Sequence, residues 1–74
     1  MFIKDLKDLD NEKILELLND AQMRYNRRFE IWRITKDSSD NYFMNYYSRT
    51  MNNCKKVLER RNIKVEFING WEMV

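Results

Sequence analysis

Six carboxylates crowd the first twenty residues: Asp5, Asp8, Asp10, Glu12, Glu16 and Asp20. A carboxylate pair can do general acid–base work only where its surroundings push the two pKa values apart, usually by burying one member. Here the six are interleaved with Lys4, Lys7 and Lys13 in a polar stretch. They read as a solvated face and as charge at a helix start. As cation ligands, Asp5, Asp8 and Asp10 lack the glycine turn and terminal Glu of a calcium loop. Negative charge repeated every two to four residues has another use. Such a row can occupy a basic groove made for DNA phosphates, because the groove recognises charge before shape. Asp8, Glu12 and Glu16 are the candidates for that contact.

The other chemistry-bearing residues are few. The chain has no His, one Cys and one Gly. These counts exclude a disulfide framework, a Cys/His zinc site, a His-activated nucleophile and a glycine-rich phosphate loop. No enzymatic activity, metal or cofactor is expected. Cys54 falls on an apolar helical stripe and reads as a small buried hydrophobe rather than a reactive thiol.

Charge is distributed more unevenly than the total of +2 suggests: residues 1–20 carry −3, residues 21–36 carry +4 and residues 49–64 carry +5. Arg49, Lys56 and Arg60 share an outer helical face with Asn45 and Asn52, a pattern able to meet phosphates. Tyr42 and Tyr46 are placed to stack on unpaired bases. The pI of about 8.8 gives only a weak basic footprint, so nucleic-acid binding is the second choice. Tyr42, Phe43, Met44, Tyr46 and Tyr47 are five bulky residues in six positions. One helix cannot turn them all inward, so part of the cluster is exposed or packs on another chain.

These residues must be positioned by two helices and a hairpin. Asp10 is a helix N-cap, and Ile14, Leu18, Ala21, Tyr25, Phe29 and Trp32 recur at helical spacing. They predict a helix from 11 to about 35, although residues 29–35 are rich in β-formers and also suit a strand. The cluster Lys36–Asn41 breaks the pattern, and Asp40 is expected to cap a second helix from about 41 to 61. Its stripe is Phe43, Tyr47, Met51, Cys54, Val57 and Leu58, with Asn62 as the C-cap. Residues 63–74 alternate around Asn69-Gly70, the signature of a hairpin with a type I′ turn. Phe2 and Ile3 offer a third strand. The expected fold is α+β, a single domain over residues 1–74, with two amphipathic helices on a small antiparallel C-terminal hairpin.

A chain of 74 residues buries only about 60% of its unfolded surface, and self-association is the inexpensive remedy where disulfides and metals are ruled out. A homodimer is expected. No apolar run approaches the ~18–20 residues of a membrane span, and the first residues lack the apolar centre of a signal peptide. One lone Cys fits a reducing compartment, so the expected location is cytoplasmic.

In texture the chain resembles the small early proteins with which large phages of AT-rich bacterial hosts seize host machinery. The likeness lies in short length, nine Asn, frequent Lys, Ile and Tyr, and no Pro. That resemblance implies a non-enzymatic inhibitor acting in the host cytoplasm on a host protein such as the sliding clamp or another replication factor. Gln22-Met23-Arg24-Tyr25 is a poor approximation to a clamp-binding peptide, so a clamp inhibitor of this kind would fill the channel rather than the peptide pocket.

Overall fold

Asp10 begins the main helix. Its side chain accepts from the Lys13 N–H at 2.8 Å, which satisfies one of the donors that a helix start leaves unpaired. In the computed structural model, which describes residues 3–74, α1 spans Ile3–Leu6, α2 Asn11–Thr35 and α3 Ser38–Arg60. Strands β1 (Val65–Phe67) and β2 (Trp71–Met73) pair antiparallel in a two-stranded sheet. Two long helices packed together with a small C-terminal sheet make the fold α+β.

Residues 29–35 are helical, the last two turns of α2. Ile3 opens a helix and not a third strand, and Phe2 lies outside the described residues.

The break between the long helices is shorter than its composition suggests, with only Lys36 and Asp37 outside them. Lys36 turns the chain in a left-handed conformation (φ 55°), and its N–H returns to the Trp32 carbonyl at 2.7 Å. Asp37, not Asp40, caps α3 by accepting from the Ser39 N–H at 2.9 Å. Asp40 is drawn inward instead. It is only 5% exposed, bonds Arg28 at 3.1 Å and accepts from the Thr35 hydroxyl at 3.5 Å. The Arg28 guanidinium also stacks 4.4 Å from the Phe43 ring. This cluster closes the helical hairpin at its turn end, where the apolar stripe thins out and Phe29 is exposed.

The hydrophobic core sits at the opposite end. Leu6 of α1, Ile14, Leu18 and Ala21 of α2, and Met51, Cys54, Val57 and Leu58 of α3 form one cluster. Leu9, Ile63, Val65 and Trp71 pack against it. α3 ends with Arg61 as its C-cap, and Asn62 takes the left-handed position just beyond (φ 61°). The N–H groups of Asn62 and Ile63 bond the carbonyls of Glu59 and Leu58, both at 2.9 Å, the two-bond ending that satisfies the last helical acceptors.

The hairpin differs from its expected turn. Phe67 pairs with Trp71, so three residues, Ile68, Asn69 and Gly70, form the loop. Only Gly70 has positive φ (137°) there, which rules out the type I′ turn, since that requires positive φ at two positions. The reason lies in α2. Asn19 pairs with the Trp71 backbone in both directions, at 2.9 and 2.7 Å. A Cβ at Gly70 would stand 3.3 Å from the Asn19 Oδ1. The bare backbone of Gly70 lets the loop lie against the helix.

Candidate protein-interaction surfaces

Two surfaces of opposite charge emerge from this packing. The first belongs to α2 and the hairpin. Asn19 and Gln22 lie on the flank of the buried α2 stripe and hold Trp71, Asn19 through the backbone and Gln22 by accepting the indole N–H at 3.0 Å. The Lys55 ammonium lies over that indole, 4.1 Å from the ring centre. Between helix and hairpin a groove of about 840 Å³ remains. Its apolar lining includes Met23, Phe67 and Trp71, and its charged lining residues are Glu16, Asp20 and Glu72, with no Lys or Arg among them. Phe67 stands edge-on to Trp71 with ring centres 5.4 Å apart.

Glu12 and Glu16, one turn apart, are both exposed, and Asp8 is exposed in the turn that leads into the same helix. Glu16 has a loose ion pair to Lys13 at 3.6 Å, and Asp20 a closer one to Arg24 at 2.9 Å. Both pairs are solvent-exposed and so contribute little. The Tyr47 hydroxyl, together with Asp20, holds the Arg24 guanidinium above its ordinary pKa.

The second surface is the outer face of α3. Tyr42, Arg49 and Lys56 follow at seven-residue steps, Tyr46 precedes Arg49 by three residues, and Arg60 follows Lys56 by four. All five are exposed, on a ridge ~27 Å long at 1.5 Å per residue. From Asn41 to Leu58 the helix carries no carboxylate. The aromatic cluster divides as its crowding requires. Met44 is buried, Phe43 and Tyr47 are half-buried, while Tyr42 is 68% and Tyr46 49% exposed.

Not every cation of the basic segments belongs to that ridge. Arg61 is turned inward and donates to the Leu9 carbonyl at 2.8 Å, the Lys7 carbonyl at 2.9 Å and the Asn11 Oδ1 at 3.0 Å. Lys55 is committed to Trp71. Neither role is visible in the spacing of charges, because each depends on contacts about fifteen or fifty residues away in the chain. The groove was equally hidden. Its only sequence signal was the amide pair Asn19 and Gln22 beside an apolar stripe, a placement that suits residues docking a neighbouring backbone.

Cys54 is fully buried, and burial pushes its thiol above the ordinary pKa, which disfavours the reactive thiolate. Among the described residues no group of three or more His, Cys, Asp and Glu could hold a metal ion. Among them, too, no helix is long and apolar enough to cross a membrane. No protein-family model, curated protein or solved structure matches the chain.

Proposed function

We propose that the chain is a non-enzymatic interaction module, a phage-type inhibitor that sterically blocks a host protein of DNA replication or another DNA-handling machine in the host cytoplasm. The observation that carries this reading is the acidic groove. The row Asp8, Glu12 and Glu16 runs into a cleft rimmed by Glu16, Asp20 and Glu72. Carboxylates at helical spacing present a basic channel with the charge it is built to receive from phosphates. Met23 and Phe67 add apolar anchors that phosphates lack, and such anchors hold a partner after charge has steered it in.

Charge reversal tests this. With Asp8, Glu12 and Glu16 all changed to Lys and the helical fold verified by circular dichroism, affinity for the captured host protein falls by at least about tenfold, or ~1.4 kcal/mol. Excess duplex DNA competes with the wild-type chain for that protein. Undiminished binding by the reversed variant removes phosphate mimicry as the mechanism.

A second reading rests on the α3 ridge: direct nucleic-acid binding through Arg49, Lys56 and Arg60, with Tyr42 and Tyr46 stacking. The run without carboxylates from Asn41 to Leu58 favours it. It predicts a plot of log affinity against log salt with a slope of roughly −2 to −3 for three phosphate contacts. The absence of any DNA or RNA shift at low salt disposes of it.

A further inference from the structure

We infer that the cleft between α1 and the last turn of α3 is an anion site that takes two linked phosphates, as inorganic diphosphate or as the diphosphate of a nucleotide. Leu6 is fully buried in the same core cluster as Val57 and Leu58, and this packing lays α1 against the end of α3. A pocket of about 460 Å³ is left there, lined by Lys4, Lys7, Val57, Arg60 and Arg61. Four of these five residues are cations. Arg60 and Arg61 follow Val57 by three and four residues, a spacing that sets all three on one side of the helix end.

The cations do different work. Arg61 spends its fork on the Leu9 and Lys7 carbonyls and the Asn11 side chain, with the Leu6 carbonyl at 3.5 Å. Bare carbonyl oxygens at the end of a helix repel an anion. Arg61 covers these and holds its own charge fixed. Lys4, Lys7 and Arg60 are exposed, and no ion pair among the described residues engages them. They can close on a ligand. No Asp or Glu lines the pocket, although Asp5 and Asp8 alternate with the lysines in the chain.

Charge selects the occupant. Like charges gathered around one cleft repel one another, and a multivalent anion relieves that repulsion. Phosphate oxygens also accept short, charge-assisted hydrogen bonds from Lys and Arg. A single phosphate carries only about −1.5 to −2, so two linked phosphates are the better match to three mobile cations beside a fixed fourth. Lys4 and Lys7 belong neither to the row Asp8, Glu12 and Glu16 nor to the α3 ridge. Arg60 is shared with that ridge, so the lysines carry the test, and its failure is distinguishable from failure of the inhibitor reading.

The test is a titration of the full, isotope-labelled chain with sodium pyrophosphate at neutral pH and about 0.15 M salt, followed by NMR of backbone amides and arginine side chains. Saturable shifts with a Kd below about 1 mM are expected, centred on Lys7, Arg60 and the Arg61 side chain. Lys4→Glu and Lys7→Glu each weaken binding at least about fivefold, since each turns a charge-assisted contact into a repulsion. Arg60→Met weakens it as well. Arg27→Glu makes the same change of charge ~24 Å along α2 from Asn11. That is well beyond the screening length of ~8 Å, so binding falls by less than about twofold. ADP identifies the source: tighter binding than pyrophosphate assigns the pocket to nucleotides, and equal or weaker binding assigns it to inorganic diphosphate. No saturation by pyrophosphate below about 1 mM overturns the inference. So do shifts scattered evenly over the surface cations, or lysine variants that bind no more weakly than Arg27→Glu.

Discussion

Replacing Arg61 with Met should be among the most damaging single changes to an accessible residue of this chain. The guanidinium reaches the Leu9 carbonyl, the Lys7 carbonyl and the Asn11 side chain at 2.8–3.0 Å, with the Leu6 carbonyl at 3.5 Å. It ties the end of α3 to the turn between α1 and α2, across about fifty residues of chain. Methionine keeps most of the apolar stem and removes the fork. A hydrogen bond to a charged group contributes ~1.5–3 kcal/mol, but the freed acceptors lie near water and rehydrate, so three short bonds together are worth ~3 kcal/mol. Domains hold ~0.05–0.15 kcal/mol per residue, or roughly 4–11 kcal/mol for a chain of this length. The variant therefore loses a large share of its stability, and its melting temperature falls by roughly 12–24 °C. Urea denaturation followed by circular dichroism should show a lower midpoint with an unchanged slope. Arg60→Met, one residue away on the exposed ridge, is the control and costs under ~0.5 kcal/mol. An Arg61→Met loss below ~1 kcal/mol, or one equal to the control, refutes the clasp.

Other consequences follow from the same geometry. Asp40→Ala should cost ~1–3 kcal/mol, less than a fully buried pair because the Arg28 side chain is 36% exposed and regains water. A double-mutant cycle with Arg28→Met checks that the loss belongs to the pair. Asn19→Ala removes both bonds to the Trp71 backbone, so the hairpin loosens and Trp71 emission shifts to the red while helical circular dichroism is retained. Asp37 has its carboxyl held below the ordinary 3.8, chiefly by the Ser39 backbone N–H and then by the Ser39 hydroxyl. A depressed carboxyl pKa contributes stability above the unfolded value and loses it as pH falls through the folded one. The urea midpoint of the wild type should thus exceed that of Asp37→Asn near neutrality, and the difference should start to narrow only below the ordinary 3.8 and vanish once the pH falls below the depressed folded value.

Local rules read the long elements well. The Asp10 cap and the stripe from Ile14 to Ala21 placed α2, and residues 29–35 are helical despite their β-formers, with Arg28 and Thr35 reaching Asp40 of α3 and the Lys36 N–H closing the last turn on the Trp32 carbonyl. The Asn69-Gly70 signal placed the hairpin, but Asn19 on α2 decided its register and loop. Composition also marked the break near Lys36 yet credited Asp40 with the cap. A carboxylate that can meet Arg28 and Thr35 across the helical hairpin leaves capping to its neighbour Asp37. The acidic row and the α3 ridge were legible because exposed charge follows helical spacing. The groove, the Arg61 clasp and the Lys55–Trp71 contact were not, since each joins residues far apart in the chain.

The most direct test of the inhibitor reading is affinity capture by the tagged chain from nuclease-treated bacterial lysate, with the captured protein identified and then challenged with duplex DNA. The account predicts one stoichiometric host protein that survives nuclease treatment, is displaced by duplex DNA, and is lost when Asp8, Glu12 and Glu16 are reversed. Recovery that collapses to scattered nucleoid proteins once nucleic acid is digested would contradict it and make the α3 ridge the working surface.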